Sequence, residues 1–173
     1  MAESLAAASS SSPAAEKLRS RMLNPFLMKG FMLTKLPLAL FAGLRVRELD
    51  RERCVVTVPY GWRTQNPFRS TYFAAQSMAA EMSTGGPAMM AVELAPQPVA
   101  MLIVSLEATF EKKSTALATF TCEEAGKAFA AVDETLRTGE PATARLETVG
   151  RMPDGTVVSR FFFTWSFKRR SRG

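Results

Sequence analysis

Residues 70–84 of this 173-residue chain, STYFAAQSMAAEMST, form the stretch that decides its fold. The stretch is apolar on nearly every side of a helical projection, and a helix of that kind is buried over most of its surface. Ser70 is a residue type preferred as an N-cap, and Gly85-Gly86-Pro87 favours a helix end. The sequence therefore predicts one buried central helix over residues 70–84.

Strand-like segments flank this helix in the chain. Apolar and β-branched runs separated by turn formers indicate strands at residues 44–49, 53–58, 99–111, 115–122, 142–149 and 156–167. A second helix is predicted over residues 123–137, with Gly139 as its C-terminal cap. Few long strands and one apolar helix favour an α+β domain in which a curved antiparallel sheet of about six strands wraps around the central helix.

The sequence also predicts the form of two connections and the composition of two strand faces. Lys112-Lys113 is expected to turn strand 99–111 directly into strand 115–122. Met152-Pro153-Asp154-Gly155 is typical of a hairpin turn. Alternation predicts that one face of strand 99–111 carries Leu102, Val104, Leu106 and Phe110, and that one face of the last strand carries Phe161, Phe163, Trp165 and Phe167.

The chain divides into a single domain with two short tails. Residues 1–15 are a Ser/Ala-rich tail expected to be disordered, residues 16–168 form the domain, and residues 169–173 are a basic tail. The pattern of residues 16–42 predicts a helical segment of that domain, interrupted at Asn24-Pro25 and again at Pro37. This segment is expected to pack on the domain or on a partner subunit; the alternative is a membrane-surface helix.

Composition excludes several classes of function. The chain has no histidine, which removes Ser-His and Cys-His nucleophilic pairs and most zinc sites. Four of its 22 basic residues lie in the last six positions, and no stacking aromatic residues accompany them. Much of the net charge of +6 is therefore attributed to a solvated tail rather than to nucleic-acid binding. No metal or cofactor is expected.

The location of the protein is also constrained by its sequence. No apolar run reaches the roughly 20 residues that cross a bilayer, so no integral membrane segment is predicted. The N-terminus lacks the basic and apolar regions of a secretory signal. Cys54 and Cys122 lie in strand-like runs without metal-binding spacing, which indicates two buried free thiols. We therefore expect a cytoplasmic protein.

Glu81 is the conspicuous residue of the predicted central helix. An ionised carboxylate in an apolar helix is costly unless it is paired or hydrated. Phe73, Ser77 and Glu81 are four residues apart and share one face, and the helix start offers free N–H groups at the positive end of the dipole. Such N–H groups can hold the oxyanion of an acyl-transfer reaction, while a carboxylate activates water or attacks the carbonyl.

A family resemblance is carried by residues 64–81, TQNPFRSTYFAAQSMAAE, together with the strands VVTVPY at 55–60 and FFFTWSF at 161–167. These segments resemble hotdog-fold acyl-CoA thioesterases, and in particular a bacterial thioesterase-like domain family of unknown function. The resemblance covers roughly residues 25–168. It implies that the wrapped sheet is a hotdog fold.

The resemblance also implies roles for individual residues. Glu81 matches the position of the catalytic Asp or Glu, and Asn66 matches an asparagine often found ahead of the helix. The backbone N–H groups of Phe73 and Ala74 match the oxyanion site. Tyr72-Phe73-Ala74 stands where active relatives usually have His-Gly-Gly, which is the main departure from the family pattern.

Other residues near the helix have both substrate-binding and structural interpretations. Glu81 is either catalytic or structural, and a structural carboxylate would be paired across a subunit interface with an arginine such as Arg63 or Arg69 or hydrated at the helix end. Asn66 is either an orienting or a turn residue. A lysine pair at 112–113 is either solvated or in contact with the phosphates of coenzyme A. The candidate substrate-binding residues are Ser77, Gln76, Tyr72 and Arg69.

The function implied by the resemblance is hydrolysis of acyl-CoA or a similar acyl thioester by a homodimer, or by a tetramer of two such dimers. The first alternative is a non-catalytic module that binds acyl groups or fatty acids, which the missing His-Gly-Gly favours. The second is a structural dimer with a filled interior, which would have Phe73 occupying the space beside Glu81.

Overall fold

Residues 13–170, the part of the chain that this computed structural model describes, form five helices and six strands. The helices are α1 (Pro13–Leu23), α2 (Pro25–Lys35), α3 (Pro37–Ala42), α4 (Phe73–Glu93) and α5 (Ala125–Thr138). The strands are β1 (Arg45–Leu49), β2 (Cys54–Val58), β3 (Val99–Phe110), β4 (Ala118–Cys122), β5 (Ala142–Arg151) and β6 (Val157–Arg169). The predictions for the tails fall largely outside the described residues, although Pro13 already begins α1 and Arg169 ends β6.

The six strands form one antiparallel sheet in the order β1-β2-β4-β5-β6-β3. Helix α4 contacts all six strands, and α5 packs beside it against β5 and β6. The aromatic face predicted for β6 is confirmed, since all four of its side chains are buried in the core. Ala79 and Ala80 of α4 are fully buried and let the sheet approach closely. The predicted hotdog arrangement of a curved sheet around a central helix is thus confirmed.

The predicted boundaries of the central helix are wrong at both ends. Helix α4 begins at Phe73 and continues through Gly85-Gly86-Pro87 to Glu93. A Cβ added at Gly85 would lie 3.1 Å from the Trp165 ring, and one at Gly86 would lie 3.3 Å from Cys54 Sγ. These glycines therefore permit close packing rather than ending the helix, and burial of Ala88, Met90 and Ala91 offsets the cost of Pro87 in its interior.

The N-terminal helices follow the predicted breaks. Asn24 caps α2 by accepting hydrogen bonds from the N–H groups of Phe26 (2.9 Å) and Leu27 (3.2 Å). Pro37 starts α3, and Gly43 ends it with a φ of 79°. Helix α1 packs on β1, and α2 buries Met28 and Met32. None of the helices in residues 13–170 is long and apolar enough to cross a membrane.

Strand β3 departs from two predictions. It pairs with β6 and not with β4, so Lys112-Lys113 leads out of the sheet edge rather than through a hairpin, and β4 begins only at Ala118. A bulge between Ile103 and Ser105 also breaks the alternation. Leu102 is therefore opposite Ser166, while Leu106 and Phe110 are opposite Phe163 and Ser159, respectively, on the core-facing side. The four apolar side chains do not share one face.

The other loop and cysteine predictions are confirmed. The turn at residues 152–155 closes the β5–β6 hairpin, with Gly155 at a φ of 85° and Asp154 Oδ1 accepting a hydrogen bond from the Thr156 N–H (2.9 Å). Cys54 and Cys122 are buried free thiols opposite each other on β2 and β4. Burial raises the pKa of Cys122 to about 11.

Gly150 of β5 supports the fully buried ring of Phe120, and its replacement tests the packing of the sheet. A Cβ at this position would lie 2.6 Å from the ring. We expect Gly150→Ala to lower the free energy of unfolding by about 1–3 kcal/mol, because the ring must shift in a closely packed core. Denaturant unfolding measures the change. An unchanged midpoint would show that the sheet has room at this position.

Candidate functional site

A cleft of about 590 Å³ lies at the start of α4. One wall is formed by residues of the loop before α4, between Asn66 and Tyr72, and the other by residues 110–114 at the end of β3. Phe73 and Gln76 of the helix also line it. The cleft therefore joins the predicted oxyanion site to a mostly apolar and aromatic opening.

Asn66 holds the shape of the loop before α4. Its Oδ1 accepts hydrogen bonds from the N–H groups of Phe68 (3.0 Å) and Ser70 (3.2 Å), and its Nδ2 donates to Ser70 Oγ (3.1 Å). The loop includes Arg69 at a φ of 58°, a left-handed conformation that is unusual for a residue with a side chain. Asn66 thus orients the loop, although its side chain also lines the cleft.

The start of α4 has free N–H groups, as predicted, but with a different cap. The N-cap residue is Tyr72, which makes no side-chain capping bond, and Ser70 belongs to the preceding loop. Thr71 is fixed by Ser114, whose carbonyl accepts from the Thr71 N–H (2.7 Å) and hydroxyl (3.1 Å). Among the described residues, the N–H groups of Phe73 and Ala74 have no acceptor. They lie at the positive end of the helix dipole.

The predicted substrate-binding residues occupy different environments. Gln76 is buried, donates to the Thr71 carbonyl (3.1 Å) and accepts from Ser159 Oγ (2.8 Å), so it ties α4 to β6. Ser77 Oγ donates to the Phe73 carbonyl (2.9 Å). Tyr72 is half exposed, and its ring makes an edge contact with Phe73 at 4.9 Å. Arg69 is exposed and is outside the cleft lining.

Glu81 is a partly buried carboxylate that lacks a partner within residues 13–170. Neither a hydrogen bond nor an ion pair engages its side chain there, and burial raises its pKa. Arg63, one of its suggested partners, stacks instead over the Phe41 ring at 5.9 Å. A Cβ at Gly85 would lie 3.0 Å from Glu81 Oε1, so the glycine leaves the space in which the carboxylate sits.

One chain does not bring Glu81 and the free N–H groups together. Phe73 and Glu81 are eight residues apart on one helix, which corresponds to about 12 Å along its axis. Glu81 does not line the cleft at the start of α4. The oxyanion donors have to lie within about 3 Å of the reacting carbonyl oxygen, and the carboxylate has to reach the carbonyl directly or through one water. A single chain therefore does not hold a complete site.

The far wall of the cleft contains residues whose role the sequence only partly indicated. Lys112 and Lys113 line the cleft, and Lys113 Nζ donates to the Phe68 carbonyl (3.3 Å). The anchoring of Thr71 by Ser114 was not predicted, because the two residues are 43 positions apart and carry no motif. The described residues contain no cluster of three or more Cys, Asp or Glu side chains able to hold a metal ion.

Solved structures of other proteins share this architecture. A protein of unknown function from Chlorobaculum tepidum is 15% identical, with a TM-score of 0.69 over 86% of this chain and 99% of that chain. A thioesterase from Haemophilus influenzae is 10% identical, with a TM-score of 0.62 over 88% and 95% of the two chains. A thioesterase variant from Pseudomonas aeruginosa is 15% identical, with a TM-score of 0.60 over 92% and 97%.

These similarities and the wrapped sheet define the class of the protein by its fold, which is the hotdog fold. The chain belongs to the family described as domain of unknown function DUF4442, whose sequence profile matches residues 26–166. No curated protein matches the chain in sequence.

Proposed function

We propose that this protein hydrolyses acyl thioesters such as acyl-CoA, with Glu81 as base or nucleophile and the N–H groups of Phe73 and Ala74 as the oxyanion site. The observation that carries this proposal is the unpartnered, partly buried carboxylate of Glu81. A desolvated carboxylate is costly to the fold unless it is paired or hydrated, and desolvated carboxylates with raised pKa values are concentrated at functional sites.

The chemistry follows from these two groups. The N–H donors at the helix start stabilise the negative charge that develops on the thioester oxygen. Glu81 takes a proton from water as the new C–O bond forms, the C–S bond breaks, and the proton passes to the leaving thiolate. If the carboxylate attacks directly, water hydrolyses the resulting anhydride in a second step. Neither route requires a histidine.

A complete site requires two chains in this proposal, because Glu81 and Phe73 are too far apart within one helix. Strand β3 is an edge strand of 12 residues, and its core-facing Leu106 and Phe110 remain about half exposed. Pairing of two such edges covers these side chains and removes both exposed edges. We propose that in such a homodimer Glu81 of one chain lies opposite the helix start of the other.

The lining of the cleft supports a lipophilic acyl thioester as substrate. Phe68, Phe73 and Phe110 line an apolar wall suited to an acyl chain, and Lys112 and Lys113 supply positive charge for the phosphates of coenzyme A. The Phe73 side chain is half exposed and makes its ring contact with Tyr72, so we infer that it lines the cleft rather than filling the space beside Glu81.

The pH dependence of acyl-CoA hydrolysis tests this proposal. Glu81 acts as a carboxylate, and burial raises its pKa, so kcat/KM rises with pH along a limb that lies above the ordinary glutamate range. Thiol release from a panel of acyl-CoAs measures the profile. A limb within the ordinary glutamate range would contradict the role of Glu81. Binding of acyl-CoA without turnover would instead support the acyl-binding module, which Phe73 at the expected glycine position favours.

A further inference from the structure

Helices α2 and α3 expose large apolar side chains on the side that faces away from the core. Phe26 is 83% exposed and Leu38 is 71% exposed, and Trp62 of the β2–α4 loop meets Phe41 edge-on at 6.0 Å. The apolar N-terminal surface is defined here as Phe26, Leu27, Leu33, Leu38, Phe41 and Trp62. Scattered apolar residues are normal on a protein surface, but six on adjoining elements indicate an interaction site.

The side chains of this surface are not needed to hold the helices in place. The opposite sides of α2 and α3 already bury Met28, Met32, Ala39 and Ala42 against the protein. Phe26, Gly30 and Leu33 follow one another at four- and three-residue spacing along the outer side of α2, and a Cβ at Gly30 would meet nothing within 4 Å. The outer face is therefore uncovered in this chain.

The stretch of chain that carries most of this surface has charge of one sign, although Arg19 and Arg21 pair with Glu16 and Glu93 outside it. Residues 17–47 contain no Asp or Glu, and their basic residues are Lys17, Arg19, Arg21, Lys29, Lys35, Arg45 and Arg47. Lys29 and Lys35 flank the exposed side chains of α2 and make no ion pair among the described residues. Arg63 lies over the Phe41 ring. A second copy of the same surface would bring cations against cations, whereas an anionic surface is complementary.

We propose that the apolar N-terminal surface docks on anionic lipid bilayers. Its aliphatic and aromatic side chains enter the region between the headgroups and the acyl chains, and Lys29 and Lys35 contact lipid phosphates. Trp62 and the two phenylalanines are residue types suited to this depth. The docking is peripheral, and it does not depend on whether the protein hydrolyses thioesters.

Co-sedimentation of the full chain with lipid vesicles tests this proposal. We expect binding to vesicles of phosphatidylcholine that contain phosphatidylserine, and much weaker binding to phosphatidylcholine alone. Lys29→Glu with Lys35→Glu should lower partitioning by about 30-fold or more. Arg137→Glu with Arg151→Glu changes the net charge equally at exposed sites on α5 and β5, outside the apolar N-terminal surface, and should leave partitioning nearly unchanged.

The apolar contribution has its own variant. Phe26→Ser, Leu33→Ser and Leu38→Ser together should reduce vesicle binding at least ten-fold, with circular dichroism to check that the fold is retained. If the triple variant does not fold, the exposed lysine pair still decides the matter. The proposal is overturned if wild-type protein ignores anionic vesicles, if the control pair loses as much binding as the lysine pair, or if the folded triple variant binds normally. A loss of oligomer mass in the triple variant without vesicle binding by the wild type would identify a protein interface instead.

Discussion

We expect Glu81→Gln to lower kcat for acyl-thioester hydrolysis by about 10²- to 10⁴-fold. The amide keeps the size of the side chain, so it fits the space left by Gly85, but it neither accepts a proton from water nor attacks a carbonyl. Steady-state thiol release measures the change. Glu93→Gln is the matched control, because Glu93 ends the same helix and pairs with the exposed Arg21. That variant should retain normal turnover.

The stability of Glu81→Gln separates a catalytic carboxylate from a structural one. Because burial raises the pKa of Glu81, the folded state binds the proton more tightly than the unfolded chain. Its contribution to stability is therefore present at acidic pH and is lost as pH rises through the raised pKa. We expect the glutamine variant to be at least as stable as the wild type at neutral pH. Unchanged turnover, or lost turnover with lost stability, would contradict the assignment.

Phe73→Pro is expected to reduce kcat by about 10²- to 10³-fold without unfolding the protein. The variant removes one of the two backbone N–H groups that are proposed to stabilise the oxyanion. Proline is favoured at the first position of a helix, and Tyr72 already has the extended ψ of 137° that a residue before proline prefers. The Phe73 N–H has no acceptor in the described chain, so no hydrogen bond of the fold is lost.

Phe73→Ala is the control for this variant, because it removes the ring and keeps the N–H. We expect its kcat to stay near the wild-type value, while KM for long acyl chains rises through loss of the apolar wall. Thermal unfolding of both variants checks the fold. Equal losses of kcat in the proline and alanine variants would show that the ring, and not the N–H, is required.

The fold could be predicted from the sequence because the positions of apolar residues reflect which side chains are buried in the folded chain. The existence of a buried central helix, the aromatic face of β6 and the helix breaks at Asn24 and Pro37 were all predicted correctly. The helix end at Gly85-Gly86-Pro87 was not, because these residue types have the same local signature whether they stop a helix or pack closely. Only the contacts to Trp165 and Cys54 distinguish the two cases.

The misassigned partner of β3 has a similar cause. Two strands that follow each other in the chain are normally predicted to pair as a hairpin, but β3 pairs with β6, about 60 residues away. The bulge at Val104 depends on that pairing, so the faces of Leu102 and Leu106 were not predictable from alternation. For the site, the sequence indicated Glu81 and the helix start. It gave no sign of the Thr71–Ser114 anchor or of the distance that separates the two catalytic halves within one chain.

In the proposed dimer, Glu81 of one chain works with the Phe73 N–H of its partner. Thioester hydrolysis by an equimolar, co-expressed mixture of Glu81→Gln and Phe73→Pro chains tests it most directly. Half of randomly paired dimers contain one chain of each variant. In such a dimer, one site combines both intact residues and the other combines both substitutions. We therefore expect about one quarter of wild-type activity, although each variant alone is inactive. A mixture as inactive as its parents would contradict a site shared between two chains.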